Sequence, residues 1–357
     1  MPARHPALAR AAAFAAAYGL RRPLLLAPMA GACPPALSVA VMRAGGLGAC
    51  GALLMPPAAI LAWAEAVREA GPFQINLWIP DPAPTRDPAH EARLRAFLGG
   101  FGPAVPLAAG DVTPPDFTAQ CEALIAAKPR IASSIMGLYP PGFVARLKAH
   151  GIAWWATVTT VAEALAAEQA GADAVVAQGA EAGGHRGCFD ASQAEIGTVG
   201  LMALLPAVVD AVRIPVIATG GLADARGAAA ALLLGASAVQ VGTGFLRCPE
   251  AGIAPVWAEA LGRARPEDTR LTRAFSGRAG RSLATEYVAA AAGPDAPAPA
   301  PYPVQRGLTQ GLREAAVKDG DLGRMQVWAG QAAGLARAVP AGEVVGAIWE
   351  GVDAALA

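Results

Sequence analysis

Short apolar runs recur along the chain up to Phe245, most of them followed by a break and then by apolar residues at helical spacing. The runs fall at 24–27, 47–50, 73–77, 130–135, 153–158, 174–178, 215–218 and 238–241. They are short and bounded by Gly, Pro or Asn, which predicts buried strands rather than helices. Helices are predicted between them, for instance over 36–44, ended by Gly45-Gly46, and over 160–170 and 225–234. Thr160 with Glu163 three residues on has the form of a capping box, and Asp224 that of an N-cap. Eight such strands, most joined by helices, predict an α/β fold of the TIM (β/α)8 barrel type. A six-stranded doubly wound sheet is the second choice, and it leaves two strands unused.

Two regions depart from the alternation. Residues 80–128 hold a proline-rich turn and helical segments around 89–98 and 116–127, which predicts an insertion lying over one face. Beyond 249 the pattern is mainly helical, with a Pro/Ala linker at 293–303 and no new strand signal. The expected organisation is therefore a barrel over 1–249 and a smaller helical appendage over 250–357 that covers the barrel mouth and supplies part of a substrate pocket. The alanine-rich segment before Leu20 is read as a helix plugging the barrel bottom, because it is too weakly apolar for a signal core.

Composition narrows the partners. Hydrophobic residues make up 54% and charged residues 16%, with zero formal net charge, so neither nucleic acid nor a membrane surface is an expected partner. No apolar stretch is long enough to span a bilayer. The five cysteines are scattered, without a Cys-x-x-Cys, which argues against a disulfide framework or a metal site and for a reducing, cytoplasmic setting. Oligomeric state is left open.

The chemistry concentrates after the strand at 174–178, where the chain reads Gly179-Ala180-Glu181-Ala182-Gly183-Gly184-His185-Arg186-Gly187. A histidine on a loop at a strand's C-terminal end sits where barrels place their catalytic groups. Gly220 and Gly221 follow the seventh strand, and Gly242 with Thr243 follows the eighth. Loops at these two positions form the phosphate site of many barrels. Ala27, Pro28, Met29 and Ala30 offer amides and an apolar floor, and Asn76, Gln178 and Gln240 offer side-chain amides. The floor with Asn76 and Gln178 suits a phosphorylated flavin ring, so FMN is the expected cofactor, and Gly183, Gly184, Gln240 and Val241 are further residues expected to bind it. Arg186 is expected to face solvent, Cys188 to be structural and Glu181 to orient the loop.

Several of these stretches, together with Gln74-Ile75-Asn76-Leu77, Gln240-Val241-Gly242-Thr243-Gly244 and Trp328-Ala329-Gly330-Gln331, resemble the nitronate monooxygenase family, once called 2-nitropropane dioxygenases. The likeness runs from about 20 to 350. It implies an FMN barrel with a smaller helical domain that oxidises alkyl nitronates with O2 to a carbonyl compound and nitrite, without reduced nicotinamide. It also implies that His185 is the active-site base or nitronate-binding residue. One departure stands out: the segment after the fourth strand, which often carries a histidine in this family, reads Ser133-Ser134-Ile135-Met136-Gly137-Leu138-Tyr139. Met136 and Tyr139 are then expected to line the pocket, with Tyr302 as a lid residue.

Rival readings keep the same barrel. A flavin-dependent enoyl-acyl-carrier-protein reductase or a quinone reductase would need NAD(P)H. A non-catalytic flavin or phosphate binder would not need His185, and a phosphosugar isomerase would need no flavin.

Overall fold

The computed structural model describes residues 5–357. Eleven strands lie along the chain: β1 (Leu24–Leu26), β2 (Gly48–Gly51), β3 (Phe73–Trp78), β4 (Ile131–Ile135), β5 (Ala153–Val158), β6 (Ala174–Gln178), β7 (Gly184–His185), β8 (Val216–Thr219), β9 (Ala238–Val241), β10 (Thr269–Thr272) and β11 (Gly280–Leu283). Eight of them form one parallel sheet in the order β1-β9-β8-β6-β5-β4-β3-β2. A parallel bridge between Leu25 and Leu47 joins the two ends and closes the ring. Strands buried on both faces need apolar residues at nearly every position, which is why these runs are continuous rather than alternating.

Inside the barrel, Leu25, Leu47, Ile131, Trp155, Val176, Ile217 and Ala238 make one cluster with Phe14 of the helix Pro6–Tyr18. Phe14 and Tyr18 both meet the Trp155 ring, at 5.6 and 4.9 Å between centroids. The first helix is thus a plug at the N-terminal ends of the strands, as its composition predicts. Burying an aromatic of this size stabilises by about 1.5–3 kcal/mol. The opposite rim stays open for chemistry.

Outside the ring the helices follow the predicted alternation, and both predicted caps are as expected from the sequence or close to it. Asp224 accepts from the Gly227 amide at 3.0 Å. Thr160 accepts from the Glu163 amide at 3.1 Å, but Glu163 reaches back to Thr159 rather than to the cap residue itself. The other Glu163 oxygen accepts from the Phe189 amide at 2.7 Å, so the same carboxylate also tethers the loop beyond His185.

The two irregular regions differ from expectation in instructive ways. Of the segment between β3 and β4, the helix Phe117–Ala127 packs on the helix Pro57–Val67 and serves as an ordinary barrel helix. Only the earlier part, with the helix Pro88–Leu98, leaves the barrel and joins Phe275, Tyr287, Val304 and Leu308 in a separate core. The last helix, Ala341–Ala355, returns to the barrel and lies against Ala225–Leu233 and Pro35–Arg43. The stretch beyond 249 is also not free of strands. β10 and β11 form an antiparallel hairpin, and β11 pairs in turn with β7. Among the described residues no helix is long and apolar enough to cross a membrane.

Candidate active site

A cavity of about 410 Å³ opens at the C-terminal ends of the barrel strands. Ala27, Pro28, Met29 and Ala30 line it after β1, Asn76 on β3, Gln178 on β6, Gly183, Gly184 and His185 after β6, and Gly220 and Gly221 after β8. Gln240, Gly242 and Thr243 complete that set around β9, and Met136 enters from the end of β4. The structure therefore brings together nearly every residue singled out from sequence.

Three do not fit. Val241 has its side chain in the core and offers only its carbonyl, to the Ala27 amide at 2.9 Å. Tyr139 is buried among Phe143 and Trp154, and its hydroxyl donates to the Ser133 carbonyl at 2.8 Å, so it lines no part of this cavity. Tyr302 lines a neighbouring hollow and stacks on the back of Trp78, 5.0 Å between centroids. Arg186 also departs from expectation: it is buried and donates to the Gly179 carbonyl at 2.8 Å, holding the loop from below. Cys188 is structural as expected, its thiol donating to the Asp190 carbonyl.

His185 is held from several sides. Its ring lies between Trp78 and Trp328, at 4.8 and 4.9 Å. Its backbone is paired with Gly280 through β7 and β11. Its carbonyl accepts from the Gln178 side-chain amide at 3.1 Å, while Gln178 Oε1 accepts from the Gly187 amide at 2.8 Å. Gln178 is thus a strut of the loop as well as a lining residue. Glu181 accepts from the Leu201 amide with both oxygens and its carbonyl accepts from Gln331, so it orients the loop as predicted.

The protonation of His185 follows from its surroundings. Nε2 is 2.8 Å from Ser276 Oγ. That hydroxyl is fully buried and lies 3.1 Å from the Arg278 carbonyl, its own acceptor. With its one proton directed at the Arg278 carbonyl, the Ser276 hydroxyl would accept from Nε2–H, as it does from the Arg278 amide at 3.3 Å; Nδ1 has no partner among the described residues. Burial, followed by the charges of Arg306 and Arg278, pushes the His185 pKa down to about 3. The imidazole is neutral at physiological pH. Arg278 is itself buried and makes a two-pronged ion pair with Asp81, at 2.9 and 2.8 Å.

Against Gly179, Ala182 and Gly183 of the His185 loop, the loops after β8 and β9 carry unsatisfied donors. The amides of Gly220, Gly221 and Thr243 have no acceptor among the described residues. Gly220 and Gly221 have φ of 107° and 69°, a region that disfavours any side chain. The buried indole N–H of Trp257, also a lining residue, lacks an acceptor too. The helix Ala225–Leu233 is already capped by Asp224, so its end contributes less here than barrel precedent predicts.

This arrangement has known counterparts. The model of the nitronate monooxygenase family matches residues 14–351. The chain belongs to that family. It is 40% identical over 340 residues to a nitronate monooxygenase of Paraburkholderia phytofirmans, covering 92% of this chain and 91% of that one. The solved nitroalkane oxidase of Streptomyces ansochromogenes superposes with a TM-score of 0.86 at 37% identity, covering 95% and 98% of the two chains. FabK of Thermotoga maritima shares the fold at 28% identity and a TM-score of 0.73, covering 99% and 97%. As a nitronate monooxygenase family member the chain is an enzyme.

Sequence reasoning passed over four residues around His185. Trp78 lies just past the strand predicted over 73–77, Trp328 lies in the Trp-Ala-Gly-Gln motif without an assigned role, and Ser276 and Arg306 sit in the tail. The only local signal was the Gly-Arg-Ser-Leu run of β11, whose neighbours reach the His185 loop through tertiary pairing.

Proposed function

We propose that this enzyme oxidises alkyl nitronates with molecular oxygen to a carbonyl compound and nitrite, with FMN as cofactor and no requirement for reduced nicotinamide. The observation that carries this reading is the neutral His185 at the wall of a cavity that also presents the unpaired amides of Gly220, Gly221 and Thr243. Gly220, Gly221 and Thr243 would hold the phosphate, Ala27, Pro28, Met29 and Ala30 the floor, and Asn76 and Gln240 the polar edge of the ring. The free acceptor of Asn76 and the free donor of Gln240 support this, since Asn76 Nδ2 is taken by Ser133 and Gln240 Oε1 by Gln74. When bound, the flavin accepts electrons from the electron-rich nitronate.

The chain's own residues do the placing. Trp78 and Trp328 fix the imidazole plane and exclude water from its faces. Ser276 fixes the proton on Nε2, so that Nδ1 offers a lone pair to the cavity. With a pKa near 3, His185 is a poor base toward a neutral nitroalkane. A substrate that arrives already ionised needs no such base, so the nitronate rather than the nitroalkane is the preferred form. Stoichiometry tests the reading: nitrite release and O2 uptake with propyl-2-nitronate, in the absence of NADH, are expected. A strict NADH requirement would transfer the enzyme to the rival flavin-dependent reductase reading.

A further inference from the structure

We infer that Arg306 is the anion-recognition residue of the cavity, binding the paired oxygens of the nitronate group itself; this rests on the nitronate reading above. Arg306 lines the cavity together with His185, Trp78 and Trp328. It carries the one formal charge among the lining side chains, for no Asp, Glu or Lys takes part and His185 is neutral. Its guanidinium makes no ion pair and no hydrogen bond with any described residue. A half-buried arginine left this way is unusual, because its donors ordinarily find carboxylates or carbonyls.

The neighbours explain why it stays unpaired. The nearby Arg278 has Asp81 as its partner. Arg313, seven residues along, donates to the Thr309 hydroxyl and to the Arg306 carbonyl, with no carboxylate of its own. Of these three guanidiniums only Arg278 has a carboxylate partner, and the one that lines the cavity, Arg306, has none among the described residues. The short helix Val304–Leu308 that bears it cannot shift outward easily. Gly307 packs so closely on the segment Leu107–Gly110 that a Cβ there would meet the Ala109 carbonyl at 2.0 Å.

A planar fork of N–H donors matches a planar pair of oxygens on one atom, whether carboxylate or nitronate. Arg306 neighbours Tyr302, whose ring stacks on Trp78 at the end of β3, and around the closed ring β2 and β1 on one side and β4, β5 and β6 on the other lie between β3 and the β8 and β9 loops. It is therefore separate from the phosphate end, and its anion is the substrate's. Its charge also draws an anion into the cavity before contact.

Propionate, a stable mimic of the nitronate group, is the probe. It is titrated into the holoenzyme and followed by flavin absorbance and by the fluorescence of the tryptophans lining the cavity. Arg306→Gln and Arg306→Met, the second keeping the apolar stem, are expected to weaken propionate binding by roughly tenfold to a hundredfold. They are also expected to raise KM for propyl-2-nitronate by a similar factor while changing kcat less. Wild-type affinity for propionate and unchanged KM in either variant would overturn the inference. The two readings fail separately. Arg306-dependent propionate binding in an enzyme that does not oxidise nitronates would keep the anion site and remove the proposed activity. Nitronate oxidation with a KM indifferent to Arg306 would do the reverse.

Discussion

His185 Nε2 lies 2.8 Å from the Ser276 hydroxyl, which belongs to a segment 91 positions further along the chain. The barrel supplies the histidine, and the hairpin-bearing tail supplies the group that fixes its proton. The site is complete only when β11 is zipped onto β7, so binding of the tail and readiness of the imidazole are one event.

Ser276→Ala removes that partner and leaves room for either tautomer. A buried hydrogen bond of this kind is worth about 1 kcal/mol net, so kcat/KM with a nitronate should fall by roughly five- to tenfold, with the fold retained. Imidazole nitrogen chemical shifts report the tautomer directly. Full activity with an unchanged tautomer in this variant would refute the assigned role of Ser276.

The half-buried, desolvated imidazole also sets an acid limit on stability. Its folded pKa, about 3, lies below the unfolded value of about 6.5, so between these values the unfolded chain binds the extra proton. The contribution is whole above about pH 6.5 and is lost as pH falls toward 3. Urea midpoints measured from pH 7 down to pH 4 should drop less steeply in His185→Asn than in the wild type. Parallel profiles would mean that the imidazole is not desolvated.

Gly183 is predicted to tolerate no side chain. A Cβ there would meet the Gly330 amide at 2.5 Å, the Ala329 carbonyl carbon at 2.7 Å and Thr243 Oγ1 at 2.9 Å. Gly183→Ala must push the tail off the loop, at a cost of about 1–3 kcal/mol. A lowered thermal midpoint together with weaker retention of FMN is the expected result, read by differential scanning fluorimetry and by the flavin released on dialysis.

The Asp81–Arg278 pair bridges the segment after β3 to the tail. Asp81→Asn leaves Arg278 buried without a counter-charge, and such a change costs on the order of 3 kcal/mol. Because Asp81 is a quarter exposed, the loss should fall at the low end of that class. Denaturant unfolding of Asp81→Asn beside Asp81→Ala measures it.

The barrel was legible because its strands are buried on both faces and so advertise themselves as apolar runs such as Val175–Val176 between glycine breaks. The loop glycines and His185 were legible for a related reason, since barrel chemistry gathers at strand ends. The hairpin was not. Thr269–Thr272 and Gly280–Leu283 are four residues each, mix polar with apolar positions, and owe their pairing to neighbours far along the chain. Tyr139 was misplaced because its position after β4 points to the mouth, whereas its ring turns back among Phe143 and Trp154. Arg186 was misjudged by type: a charged residue is ordinarily exposed, but here three carbonyl and amide oxygens of Gln178 and Gly179 receive it. Ser276 and Arg306 carry no local signal at all, since only the folded tail brings them to His185.

The most direct test of the central claim is an anaerobic absorbance titration of the FMN-loaded enzyme, with propyl-2-nitronate added to one sample and NADH to another. The account predicts that the nitronate reduces the flavin, that NADH leaves it oxidised, and that His185→Asn slows the first reaction. Rapid bleaching by NADH with no response to the nitronate would contradict it.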